Sequence, residues 1–399
     1  MSRSGAAHLK GLLMSRHQRI GILLVGCLYS LAGVTVCAQE STNADSARPS
    51  GGADVAVVRF GVIEPPVVSQ ADITVRAAVS NQNPEVRPLE CSGLDWCDGH
   101  LIMTSDRHGH VVFVSRIDEQ TMTFSTPEPR VVIANEQQLL DDAEAIAMRH
   151  LGSRCVAYVM CSMSNDKDGM PLPKRRHMLR FDFTDPTKID TFNNIVINLT
   201  PVREMLRKQL AKAGVKPYLT YNAAARANTY RWANTEAIAV APGTESLKLL
   251  CGMRNPLHND RAIMYVLAEV DEALDHRDAG AIQVVDLFSL DLGGRGVSGL
   301  NWDPVTRGYL IAAGKSNGPK LDENVAFPPN SLDCALFWWS GVKSEEPILF
   351  AKAPDMKIEA ITRLGESRYI AIASDEGDVS EGRPERQSVL TIMEFTGVK

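Results

Sequence analysis

No HExxH, GxSxG or Walker loop occurs in the chain, so zincin, serine-hydrolase and P-loop mechanisms have no support in its sequence. Gly294–Gly299 matches GxGxxG, but the residues that follow read as a strand where dinucleotide binding requires a helix. Asp166–Gly169 hints at a calcium loop, yet Ser164 stands at the first ligand position and Arg175 at the twelfth, so a turn is expected there. No CxxC or other metal-ligand spacing is present. Four of the cysteines Cys91, Cys97, Cys155, Cys161, Cys251 and Cys334 lie in or beside apolar strand runs, which predicts small buried residues rather than disulfides. A basic surplus is lacking too. The first 38 residues hold Arg3, Lys10, Arg16 and Arg19 and no acid, leaving 38 bases against 48 acids, a net charge of −10. A body that acidic excludes nucleic acid and anionic membrane as natural partners and suits cations or small solutes.

The apolar run Ile20–Val36 follows a basic stretch and ends in Val36-Cys37-Ala38, the layout of a secretory signal peptide over residues 1–38. An uncleaved N-terminal anchor is the alternative. Export, to the periplasm or the medium, is the expectation. Residues 39–54, with Ser41–Ala53 reading STNADSARPSGGA, have the composition of a disordered linker.

From residue 55 to 399 the chain repeats itself. A small residue followed by a branched one marks five copies: Gly93-Leu94, Ala145-Ile146, Ala237-Ile238, Gly299-Leu300 and Ala360-Ile361. Each copy opens a series of short apolar runs separated by turn residues, which predicts strands and, at this period, the blades of an all-β propeller. The copies recur at intervals of 52, 92, 62 and 61 residues. An insertion over 200–232 accounts for the long interval: Thr200 as N-cap, Pro201 in the first turn, one apolar face through Val202, Met205, Leu206, Leu210 and Ala213, and Gly214 as the stop predict a helix. The rest of that insertion, to Trp232, reads as irregular or helical. The fifth copy is one strand short. Val55–Ile63 is the natural donor to close the ring, which removes exposed edges. Five blades are expected, six if Ile73–Val79 belongs to a further one.

The two Glu-Ala-Ile-Ala copies, Gly252–Leu257 (GMRNPL), Leu290–Gly296 (LDLGGRG) and Ala373–Gly377 (ASDEG) resemble, in this order, the bacterial domain-of-unknown-function 3616 family, from about Pro88 onward. The resemblance implies a propeller-like fold and no settled activity. The SGLDW and SDR pieces are similar, more weakly, to exported esterase-like phytase propellers.

The residue before each small-plus-branched pair is Ser92, Glu144, Glu236, Ser298 or Glu359. Equivalent positions of a closed ring face one axis, so Glu144, Glu236 and Glu359 are candidate ligands for a hard divalent cation, Ca²⁺ or Mg²⁺. Crowded carboxylates without a cation would have raised pKa values. The tips of the second strands, Asp106-Arg107-His108, Asn165-Asp166, Arg254-Asn255, Lys315-Ser316 and Asp375-Glu376, form a second ring of candidate ligand residues. There Arg107, Arg254, Asn255 and Lys315 are candidates for holding a phosphate or carboxylate, and His108, Asp106 and Asp375 for acid–base chemistry. Trp302, Trp338 and Trp339 read as core. The expected function is binding of a small anionic ligand at the channel mouth, with metal-dependent phosphoester hydrolysis as its catalytic form. The alternative is a non-catalytic module that meets a protein partner.

Overall fold

Five antiparallel sheets follow one another along the chain, each opening with one of the marked copies. The computed structural model describes residues 67–75, 87–166, 169–215, 219–222, 227–230, 234–243, 246–315, 334–353, 356–375 and 388–395. The expected signal peptide, the linker and the strand Val55–Ile63 lie outside them. Blade 1 is Cys91–Cys97, His100–Ser105, Val111–Asp118 and Glu128–Val131, with Thr123–Phe124 extending its third strand. Blade 2 is Ala143–Leu151, Arg154–Cys161, His177–Phe183 and Ile195–Asn198. Blade 3 is Asn234–Val240, Leu249–His258, Arg261–Ala268 and Gln283–Leu290, and blade 4 is Arg295–Asp303, Gly308–Lys315, Cys334–Trp339 and Ile348–Ala353. Blade 5 takes Ile358–Arg363, Tyr369–Asp375 and Ser388–Glu394 from the end of the chain and Val67–Val75 from its beginning.

Val67–Val75 runs antiparallel to Ser388–Glu394, with Ile73 opposite Ser388 and Gln70 opposite Thr391. The closing strand is therefore not Val55–Ile63 but the one after it. Ile73, the start of the segment reserved for a sixth blade, is spent on closing the fifth, and the propeller has five blades.

The small-plus-branched signature has a packing cause. Buried side chains form five apolar clusters, one between each pair of neighbouring blades. Leu94, Ile146, Ile238, Leu300 and Ile361 each belong to a different cluster, the one shared with the preceding blade. Each is 4% exposed or less, and burial of such a side chain contributes roughly 1.5–3 kcal/mol. The residue before it points the other way, where the next inner strand passes within contact of its backbone. A Cβ on Gly93 would stand 2.8 Å from Ile146 N and 3.0 Å from Ala145 Cα, and one on Gly299 would stand 2.9 Å from Ala360 Cα. Small size is what lets the inner strands converge.

Polar ties reinforce the interfaces. Arg363 and Asp303, 2% and 0% exposed, make a two-pronged pair between blades 5 and 4, Nη2 to Oδ2 at 2.5 Å and Nε to Oδ1 at 3.0 Å. Cys97 and Cys155 form a disulfide between blades 1 and 2, against the expectation of thiols throughout, because the ends of their strands meet across the interface. Cys161, Cys251 and Cys334 are buried thiols, and Cys91 is buried as well.

The insertion begins with the helix Thr200–Lys212, which lays Val202, Leu206 and Leu210 on the cluster between blades 2 and 3. Leu199, not Thr200, is its N-cap, since the Thr200 hydroxyl is turned back onto Asn198 Oδ1 at 2.5 Å. Beyond it, Leu219–Asn222 pairs with Ala227–Tyr230 as a hairpin where irregular or helical chain was expected. A second helix, Val270–His276, joins the third and fourth strands of blade 3. No described helix is long and apolar enough to cross a membrane.

If the hub is held together by backbone contact, Gly93→Ala forces two inner strands apart. The expected cost is about 1–3 kcal/mol, the size of an overpacking penalty, read as a lower urea midpoint at constant m-value. An unchanged midpoint would contradict the packing cause of the signature.

Candidate functional site

Each inner strand carries a β-bulge at one position. Pairing passes from Cys91 to Gly93, from Ala143 to Ala145, from Thr235 to Ala237, from Val297 to Gly299 and from Ile358 to Ala360. The residues left without a partner across the ladder are Ser92, Glu144, Glu236, Ser298 and Glu359, the five expected to face one axis. A bulge bends its strand and re-aims the extra side chain. Ser92, Glu144, Glu236 and Glu359 do line one axial space, whose volume is ≈ 10 Å³, room for about one water or one bare ion.

Arg254, on the second strand of blade 3, reaches into this ring. Its Nη1 donates to Glu236 Oε2 at 2.5 Å and to Glu359 Oε2 at 2.8 Å. Lys357 Nζ adds an ion pair to Glu359 Oε1 at 2.7 Å, and Asn234 Nδ2 donates to Glu236 Oε1 at 2.6 Å. Burial alone would push both carboxyls up. Two cations nevertheless hold Glu359 below the usual range, whereas Glu236, with one cation and Glu359 as a neighbour, is pushed up to about 7. Three carboxylates thus face two cations. The odd one is Glu144: burial first, then Asp142, Glu236, Asp106 and Glu359, hold its carboxyl well above the usual range.

The acidic surplus extends over the mouth between blades 1 and 2. Burial, then the Glu90 carboxylate, raises Asp106 to about 8. Arg107 turns from solvent to Glu90, Nε to Oε2 at 2.5 Å, and stands 3.9 Å from Asp106 Oδ1. Arg175 is held by Asp141 at 3.3 Å and by Asp142 at 3.1 Å. Asp106 Oδ1 and Thr104 Oγ1 on blade 1, and Ser298 Oγ on blade 4, are buried and have no hydrogen-bond partner among the described residues.

The other expected residues are spread more widely. His108 is 1% exposed and packs edge-on against Phe113, with ring centroids 5.4 Å apart. Asn255 is buried within the second strand of blade 3 and opposes Asn234. Lys315 and Asp375 end the second strands of blades 4 and 5, and their side chains lie outside the described residues. Asn165 is spent on the insertion helix, whose Arg203 Nη2 donates to Asn165 Oδ1 at 2.9 Å. Asp166 closes a turn, as expected, through Met170 N to Oδ1 at 2.7 Å. Among the described residues, the group of three metal-binding side chains with ligand atoms all within 4.8 Å is Cys97, His150 and Cys155, at the disulfide.

Sequence reasoning missed the opposite end of the axis. Two residues after each small one stand Asp95, Ala147, Ala239, Asn301 and Thr362. Asp95 ties four blades: Oδ1 accepts from Trp96 N at 2.7 Å, Asn301 Nδ2 at 2.9 Å and Thr362 Oγ1 at 3.3 Å, and Oδ2 from Met148 N at 2.7 Å. Burial still raises its pKa. Beyond it the first hairpins of the blades open into a bowl of ≈ 880 Å³. The available signal was the polar triad at one repeat position. Trp302, expected in the core, is half-buried and lines this bowl.

Carboxyls protonated in the fold and ionised in the unfolded chain lower stability as pH rises between the two pKa values. With Asp106 raised to about 8 and Glu144 raised as well, the urea midpoint should fall from pH 5 to pH 8. Asp106→Asn should flatten that slope; an unchanged slope would remove Asp106 from the account. Arg254→Met leaves Glu236 and Glu359 buried without their shared guanidinium and should cost about 3–5 kcal/mol at pH 8, less at pH 5, by the same titration.

No protein-family model matches the chain, and no curated protein resembles it in sequence. Among solved structures it is similar to an exo-β-1,3-galactanase from Clostridium thermocellum, at 11% identity and a TM-score of 0.42, over 82% of this chain and 63% of that one. It is similar also to a GH43_1 enzyme from Xanthomonas citri (9% identity, TM-score 0.41, 83% of this chain and 90% of that one). A third likeness is to the WD40 repeats of RRP9 (7% identity, TM-score 0.38, 84% of this chain and 100% of that one). The chain spans less than two thirds of the galactanase.

Proposed function

We propose that the hub mouth between blades 1 and 2 binds a divalent cation, Ca²⁺ or Mg²⁺, and through it a small anionic ligand, in an exported protein. The observation that carries this is buried oxygen without partners on blade 1: Asp106 Oδ1 and Thr104 Oγ1 make no hydrogen bond with any described residue. An orphaned buried polar atom calls for a water or an ion, and an all-oxygen set with acids suits a hard cation. Arg254 already serves Glu236 and Glu359, so Glu144 and Asp106 are the carboxyls that would hold the ion. The space at the ring, ≈ 10 Å³, admits an ion but not an organic molecule. The anion would therefore approach from the outer side, where Arg107 is half-exposed.

The catalytic form of this function is hydrolysis of a phosphomonoester, with the cation polarising the phosphoryl group. Held to the ion, Asp106 would be ionised and would serve as a ligand rather than as the proton donor.

Calorimetric titration of the folded protein with Ca²⁺ and with Mg²⁺ tests the binding. Because Glu144 and Asp106 must lose protons, affinity should fall about tenfold or more from pH 8 to pH 6. Glu144→Gln with Asp106→Asn should abolish the heat while the circular dichroism spectrum is kept. Absence of heat with both ions at pH 8, or unchanged binding by the double variant, overturns the proposal. Metal-independent or absent turnover of phosphomonoesters removes the catalytic form alone.

A further inference from the structure

The bowl at the other end of the axis carries its own chemistry. Its ≈ 880 Å³ falls within the roughly 300–1,000 Å³ of small-molecule pockets, whereas the hub space does not. Both arginines on its wall are engaged by acids of the fold: Arg363 by Asp303 at 2.5 Å, Arg149 by Asp271 at 3.2 Å. The acids of its rim are not. Asp98, Glu119 and Glu366 line it, are exposed or nearly so, and have no ion-pair partner among the described residues. The bowl is therefore electronegative.

Its floor offers one unfilled acceptor. Asn301 is 7% exposed and lines the bowl. Its Nδ2 must face Asp95, since a carboxylate accepts, and donates to Oδ1 at 2.9 Å. The Asn301 carbonyl oxygen then has no donor among the described residues, and Asn301 lines the bowl. Two half-buried indoles, Trp96 and Trp302, also line the bowl. An indole face attracts a cation and covers an apolar body.

We propose that this bowl binds a small organic ammonium ion, with an N–H donated to the Asn301 carbonyl, the apolar body against Trp96 and Trp302, and the charge balanced by Asp98, Glu119 and Glu366. The site is independent of the hub mouth, so loss of one leaves the other intact. A ligand of this class needs a donor, a positive charge and an apolar surface together, and the bowl supplies the counterpart of each. An anion of the same shape would meet the rim acids and the Asn301 acceptor, both repulsive to it.

The probes are phenethylammonium and cyclohexylammonium, with 3-phenylpropionate as the anionic isostere of the first, titrated into the full chain by calorimetry or followed by saturation-transfer NMR. The ammonium ions should bind at least tenfold more tightly than the carboxylate, and raising the salt concentration should weaken them. Glu119→Gln with Glu366→Gln, a change confined to the exposed rim, should lower affinity at least threefold without altering the fold. Trp302→Leu should lower it further, and Glu144→Gln at the hub should leave it unchanged. Failure of both ammonium ions to bind at millimolar concentration overturns the proposal, as does a carboxylate that binds equally well or a rim variant that binds like the parent chain.

Discussion

The structure depends on how closely five strands approach one axis. At the hub the inner strands come near enough that Gly93 and Gly299 have no room for a Cβ between themselves and the next strand. That contact sets the radius of the ring, and the radius sets everything placed along the axis. It leaves ≈ 10 Å³ where the bulged residues converge and ≈ 880 Å³ where the strands diverge again. A ring this narrow cannot solvate the charges that point into it, so they must be paired or neutral.

The two ends meet that demand differently. At the bulged end one guanidinium serves two carboxylates, and the third, Glu144, stays far above its ordinary pKa. Asp106 and Glu90 extend the same crowding toward solvent, with one arginine between them. The surplus is of acids and of oxygens without donors, and the proposed cation would be its counterpart. At the diverging end Asp95 is satisfied by four donors, and Arg363 has Asp303. What is left over there is a carbonyl, two indoles and an acidic rim, a set that suits a bulkier cation. Both ends follow from a body carrying more acid than base.

Blade interfaces supply the rigidity that such sites require. Five apolar clusters lock each sheet to its neighbours, and the disulfide between Cys97 and Cys155 and the Arg363–Asp303 pair fasten the first hairpins that frame the bowl. The insertion helix Thr200–Lys212 sits on the outer side of one interface and takes Asn165 out of the ligand ring by binding it through Arg203. A loop residue at the right repeat position is therefore not free for chemistry merely because of that position.

Repetition is a local property, and the sequence by itself determined what repetition can express: an all-β ring, five blades, the site of the helical insertion, and five equivalent positions at the hub. The alternation of Gly93 with Leu94 and of Ala360 with Ile361 was readable because each residue packs against a neighbour of the same kind. Closure by Val67–Val75 rather than Val55–Ile63 was not readable, since both stretches are strand-like and only pairing with Ser388–Glu394 distinguishes them. Tertiary structure alone decided which side chains meet. Arg254 reaches Glu359, 105 residues away, and Asp95 reaches Asn301, 206 residues away, across an axis that exists only once the ring has closed. The charge of each such group then depends on burial and on partners brought from other blades, and neither is written in the neighbouring residues.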